Sequence, residues 1–108
     1  MQSLGVKVVT NGGTPVQLTT GDTFCDEVVF TPMRSLSAAG TPPTDNDEPI
    51  YVLNSSTAKG ASSTNVLLVL LPGQSGVTIR SRTPLGINLK NIYLDADTNS
   101  DGALVSYA

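Results

Sequence analysis

The 108-residue chain has room for one domain and one core, and its 39% apolar residues come with only 14% charged ones, Ser, Thr, Asn and Gly taking the place of charge. Its six basic residues, Lys7, Arg34, Lys59, Arg80, Arg82 and Lys90, are scattered among nine acidic ones for a net charge of −3, which excludes the concentrated positive field that a nucleic acid or an anionic membrane requires. With Cys25 as the one cysteine and no histidine, the chain cannot build an internal disulfide, a structural zinc site or a histidine-dependent nucleophile relay.

The opening Met-Gln-Ser-Leu-Gly-Val-Lys has no charged leader ahead of an apolar stretch, and the expectation is a soluble protein made in the cytoplasm. Val6-Lys7-Val8 alternates apolar and polar, and Asn11-Gly12-Gly13 supplies turn residues before Pro15-Val16-Gln17-Leu18 resumes the alternation. After a break at Thr20-Gly21-Asp22, Phe24 to Phe30 reads as a strand with Val28, Val29 and Phe30 buried, ending at Pro32. Residues 33–48 turn to Ser, Ala, Gly, Thr, Pro and Asp, a long loop. Ile50-Tyr51-Val52-Leu53 is a strand, and 54–65 is a second loop rich in Ser, Thr and Ala.

Val66 to Leu71 is uniformly apolar and far shorter than the ~20 residues of a bilayer span. It fits either the central strand of the core or a strand covered on one side by its own domain and on the other by a neighbour. Pro72-Gly73-Gln74-Ser75-Gly76 is a turn; Val77-Thr78-Ile79-Arg80, Ile87-Asn88-Leu89, Ile92-Tyr93-Leu94 and Ala103 to Tyr107 are further strands. No window carries helical spacing for three turns. The fold class is therefore all-β: a single domain over 1–108, a small β-sandwich or jelly-roll-like barrel of about seven or eight short strands with two long loops. Loops of this length in a small sandwich are natural contact arms for neighbouring subunits.

The segment Asp95-Ala96-Asp97-Thr98-Asn99-Ser100-Asp101-Gly102 sets oxygen side chains at alternate positions, as a calcium loop does, so Asp95, Asp97, Asn99 and Asp101 are the candidate metal ligands. Ser100 stands where such a loop needs Gly, and Ser106 where it needs a closing Glu. The competing reading is a hairpin turn between the last two strands, and no other cofactor is implied. Cys25 lies beside Asp26 and Glu27, whose charges oppose thiolate formation, and reads as a core residue. Asp45, Asp47 and Glu48 sit in a loop without the rigid spacing of a glycosidase pair. The expectation is a non-enzyme.

Gly13-Thr14-Pro15-Val16-Gln17-Leu18, Pro49-Ile50-Tyr51-Val52, Leu70-Leu71-Pro72-Gly73-Gln74-Ser75 before Val77-Thr78-Ile79, and Leu89-Lys90-Asn91-Ile92-Tyr93-Leu94-Asp95 with Gly102 to Tyr107 resemble, in that order, short structural proteins from the virion gene clusters of tailed phages. The resemblance spans nearly the whole chain and is to head decoration, or cement, proteins. It implies a non-catalytic subunit on the capsid exterior that binds the major capsid protein, bridges capsomers and assembles with itself as a homotrimer, with no nucleic-acid or membrane partner. A neck or tail accessory subunit, or a receptor-binding fibre tip, is the alternative. The contact residues expected on this reading are Val66, Leu68, Leu70, Arg80 and Arg82.

Overall fold

The computed structural model describes residues 1–36, 43–60 and 64–108. Ten strands form in chain order: β1 Gln2–Val8, β2 Val16–Gln17, β3 Phe24–Cys25, β4 Glu27–Pro32, β5 Ile50–Leu53, β6 Val66–Leu70, β7 Val77–Arg80, β8 Ile87–Asn88, β9 Tyr93–Ala96 and β10 Gly102–Tyr107. The fold is all-β, with one 3-10 turn at Leu89–Asn91 and no α-helix among the described residues. The strand expected from Phe24 to Phe30 is split at Asp26 into β3 and β4, and β2, β3 and β8 are pairings of only two residues.

Two antiparallel four-stranded sheets carry the structure, one ordered β1-β10-β4-β7 and the other β2-β9-β5-β6; a β3-β8 ribbon completes it. Alternation decides what faces inward. In β4, Val28, Phe30 and Pro32 are buried and the residues between them are half-exposed. Across the ladder Phe30 sits opposite Val105 of β10 and Val77 of β7. The second sheet answers with Ile50 and Val52 of β5, Leu94 and Ala96 of β9 and Leu70 of β6, and the two sets form one core with Val9, Leu18 and Leu89. Each fully buried Leu, Ile or Phe contributes about 1.5–3 kcal/mol relative to leaving it in water.

The register places the chain reversals. The end of β1 (Val8) lies opposite the start of β10 (Gly102), and the end of β4 (Pro32) opposite Ala103. In the other sheet the start of β5 (Ile50) lies opposite both the end of β9 (Ala96) and the end of β6 (Leu70). The connections β1→β2, β4→β5, β6→β7 and β9→β10 therefore all pass from one sheet to the other at the same end of the sandwich. Residues 97–101 are accordingly not the hairpin turn that composition suggests, since β9 and β10 belong to different sheets. They are a sheet-to-sheet crossover.

The apolar run at 66–71 is likewise not a central strand. Among the described residues β6 is the outer strand of its sheet and pairs with β5 alone. At the opposite corner, β1 carries a bulge between Ser3 and Gly5, where Gly5 takes φ 73°.

Candidate functional site

The crossover end of the sandwich holds the densest polar chemistry of the chain. Four connections meet there, and backbone N–H groups that leave a sheet without a partner are costly when buried. Buried acidic side chains accept them. Asp101 is fully buried; its Oδ1 accepts from the Asp47 N–H (3.1 Å) and Arg34 Nε (2.7 Å), and its Oδ2 from the Glu48 N–H (3.0 Å). Asp95 is equally buried; its Oδ1 accepts from the N–H groups of Gly13 (2.8 Å) and Ala96 (2.8 Å), and its Oδ2 from that of Lys59 (3.0 Å). Asn99 Oδ1 accepts from the Gly12 N–H at 2.8 Å.

The side chains singled out for alternating spacing thus serve different loops. Asp95 fastens 13 and 59, Asn99 holds 12, and Asp101 fastens 47–48. Asp97 sits outside, where its Oδ2 accepts from the Tyr51 hydroxyl (3.0 Å) and its Oδ1 pairs with Lys59 Nζ, which also lies 5.1 Å from the Tyr51 ring centroid. Among the described residues no three acidic or cysteine side chains are grouped to hold a metal ion. Ser100 adopts φ 72°, so the sharp turn expected to need glycine is made by serine, its N–H donating to the Val9 carbonyl at 2.8 Å. Because the buried carboxylates are already occupied by N–H donors, adding millimolar calcium, or a chelator, is expected to leave the melting temperature unchanged. A calcium-dependent rise would show that these bonds rearrange around an ion.

The hydrogen bond from Lys59, aided by the one from Tyr51 and opposed by partial burial, holds the Asp97 carboxyl below the usual carboxylate range. A depressed folded-state value stabilises the fold above the unfolded value and is lost as the pH falls through the folded one. An Asp97→Asn variant is therefore expected to be less stable than the parent at pH 7, by under about 1 kcal/mol for so exposed a pair. The gap should close below about pH 4. Urea midpoints at pH 7 and pH 3 measure it.

Asn46, buried in the 43–48 segment, clasps β10: its Nδ2 donates to the Gly102 carbonyl (2.8 Å) and its Oδ1 accepts from the Gly102 N–H (2.9 Å). Nothing in the sequence marks Asn46 apart from the acids around it. Asp45, Asp47 and Glu48 are exposed, and Asp47 pairs with Arg34 at 2.8 Å. The described parts of both long loops are thus anchored to the sandwich, the second through the Lys59 N–H on Asp95, and within that loop Asn65 Nδ2 donates to the Thr57 carbonyl at 2.6 Å. Positions 37–42 and 61–63 of these loops lie outside the described residues.

Cys25 is buried, and burial, reinforced by Asp26, pushes its thiol up from the ordinary value. It lines an open depression of about 190 Å³ together with Phe24, Asp26, Leu85, Gly86 and Ala108. A protonated thiol is a poor nucleophile. The depression offers apolar surface instead: Phe24 is 59% exposed and Leu85 81%.

Of the expected contact residues, Leu70 is fully buried and Leu68 packs against the same core, while Val66 is half-buried. The alternate residues Leu67 (48%), Val69 (42%) and Leu71 (57%) are the exposed ones. An all-apolar run carries no signal of which parity faces inward; only pairing with β5 sets it. Arg80 is exposed and 3.3 Å from Glu27, and Arg82 is exposed beyond the end of β7.

Fold and surface together define a small two-sheet antiparallel domain with an anchored crossover end and two apolar surface patches. Compared with known proteins, the chain matches no family model, no curated protein and no solved structure.

Proposed function

We propose that this chain is a non-enzymatic structural subunit of a tailed-phage particle, a head decoration protein that bridges capsomers of the major capsid protein from outside. The observation that carries the reading is the pair of exposed apolar patches on different sheets of one small domain, Leu67-Val69-Leu71 on β6 and its exit, and Phe24-Leu85 beside the β3-β8 ribbon. A subunit that ties neighbours together needs more than one contact surface, and apolar patches on a neutral polar background are what association covers.

The chemistry that remains supports the same reading. No histidine is present, the one thiol is held protonated, and the buried carboxylates are occupied by backbone donors. The sequence resemblance to cement proteins supplies the particle. Gel densitometry of purified virions of the encoding phage tests it. Hundreds of copies per particle are expected; a handful would move the chain to the neck, tail or a fibre tip, and its absence from virions would overturn the reading.

A further inference from the structure

Of the seven asparagines in the chain, Asn11 alone precedes a glycine. That pairing has a chemistry of its own. The backbone nitrogen of the following residue can attack the asparagine side-chain carbonyl carbon, and glycine shields that nitrogen least while giving the backbone most freedom to bring the two atoms together. Each of the other six asparagines is followed by a residue whose side chain stands beside the nucleophile. Asn11 is also exposed, so water and base reach it.

We propose that Asn11-Gly12 is a deamidation site held closed by the fold, with the Asn99 side chain as its latch. The Gly12 nitrogen loses its proton and bonds to Asn11 Cγ, the Cγ–NH2 bond breaks and ammonia leaves, giving a cyclic imide. Water then opens the ring at either carbonyl and leaves aspartate or isoaspartate at position 11, with nothing oxidised or reduced. For the nitrogen to reach Cγ, the planar peptide unit between Asn11 and Gly12 must rotate. The structure fixes that unit at both polar ends: its N–H donates to Asn99 Oδ1 at 2.8 Å, and its carbonyl oxygen accepts from the Thr14 N–H at 3.0 Å. The next unit is pinned as well, the Gly13 N–H donating to Asp95 Oδ1 at 2.8 Å and to the Ala96 carbonyl at 3.1 Å. The Asn99 bond is the one made by the nucleophile itself.

Gly12 has no room for a longer backbone. A Cβ on it would lie 2.8 Å from the Asp97 carbonyl oxygen and 2.9 Å from that of Ala96. Isoaspartate at position 11 routes the main chain through the side chain and adds a methylene ahead of the Gly12 nitrogen, which pushes Gly12 out of place against Asn99, Ala96 and Asp97. Aspartate adds a negative charge and keeps the ordinary backbone. Deamidation is therefore slow in a folded copy and fast in one whose crossover end stands open, and the isoaspartyl product keeps that copy from closing again. The site is an irreversible mark on chains that have lost the crossover end, whatever particle the folded ones join.

Incubation in mildly alkaline buffer, followed by mass spectrometry of the tryptic peptide 8–34, in which Asn11 is the one asparagine, reads the rate. In unfolding urea the parent is expected to deamidate at least about tenfold faster than in buffer, because the rate follows the fraction of time the segment is open. Asn99→Ala removes the latch at an exposed position and should raise the rate in buffer severalfold, whereas Asn99→Asp keeps an oxygen acceptor and should hold the parent rate. All three chains should react alike in urea. Comparing parent and Asn99→Ala at equal unfolded fraction, set by urea, separates local unlatching from any loss of global stability. Isoaspartyl chains refolded from urea should melt below the parent, and Asn11→Asp, with the same added charge on an ordinary backbone, should melt with it. Equal rates in buffer and urea, an Asn99→Ala rate equal to the parent's at matched unfolded fraction, an Asn99→Asp chain as fast as Asn99→Ala, or isoaspartyl chains that melt with the parent would each overturn the proposal.

Discussion

Replacing Asp101 by alanine is expected to destabilise the fold by about 2–4 kcal/mol, chiefly through the two backbone N–H groups it leaves without an acceptor. The carboxylate is fully buried and accepts three hydrogen bonds, from Arg34 Nε at 2.7 Å and the N–H groups of Asp47 and Glu48 at 3.1 and 3.0 Å. Alanine leaves both N–H groups without their acceptor, each at about 1–3 kcal/mol. Among the described residues Arg34 keeps the exposed Asp47 carboxylate (2.8 Å) and the Asn99 carbonyl (3.2 Å). Arg34→Ala should cost less, because it leaves Asp101 with its two backbone donors. Asp101→Asn keeps the shape but turns an NH2 group towards a donor, and should fall between parent and alanine. Against a total stability of about 5–15 kcal/mol for a domain, Asp101→Ala puts the fold close to its limit. Urea denaturation of the three variants decides it: a loss under about 1 kcal/mol for Asp101→Ala would mean that the 43–48 segment is held by other contacts.

The role of Asp101 also shows how far the sequence could be read. The all-β class, the alternation of β7 and the break at Pro32 are legible, because a strand with one buried face writes a period of two into its residues, whereas Val29, read as buried with Val28 and Phe30, is half-exposed in β4. The partners of Asp101 are not legible. Two of them are backbone N–H groups 53 and 54 positions away, which any residue types would supply, and the third, Arg34, is one scattered cation 67 positions away. Alternating oxygens at 95–101 look the same whether they surround a cation, turn a hairpin or anchor a crossover. The difference lies in which strands β9 and β10 join, and that is set by pairing across the whole chain. The parity of β6 is hidden for the converse reason: with both faces apolar, nothing local distinguishes Leu68 and Leu70, which belong to the core, from Leu67 and Val69, which do not.

Phe24 and Leu85 are a third case. Each is an isolated apolar residue in a polar setting, ordinary on a protein surface when taken singly. They become a patch only because the β3-β8 ribbon pairs Phe24 with Asn88 and Cys25 with Ile87, bringing the 83–86 turn beside Phe24. Both exposed apolar patches thus come from long-range pairing. The anchored crossover end is what fixes the two sheets, and with them the placing of those surfaces, so destabilising it should weaken any assembly more than its distance from the patches suggests.

A methyl group added at Gly102 tests that fixing at the point of closest approach. Gly102 begins β10, is buried and lies opposite Val8 of β1. Its φ is not positive, so the glycine is required by space rather than by backbone conformation. A Cβ there would press on the Lys7 carbonyl oxygen and lie 3.1 Å from both the Lys7 carbonyl carbon and Val8 Cα, backbone atoms that cannot turn aside as a side chain would. For Gly102→Ala to fit, β1 must move away from β10 or Gly102 must pull out of the Asn46 clasp, whose bonds are 2.8 and 2.9 Å. The expected cost is about 3 kcal/mol, the upper range for overpacking, since strain and the clasp are affected together. That corresponds to a fall of roughly 10 °C or more in melting temperature for a domain of this size. Gly21→Ala is the control, with nothing within 4 Å of the added carbon, and should change the melting temperature by under about 3 °C. Asn46→Ala should destabilise in its own right through the two bonds it loses. If the strain acts through the clasp, the double variant Gly102→Ala/Asn46→Ala should be more stable than the sum of the single losses implies. Strict additivity would place the whole cost in the β1–β10 ladder instead.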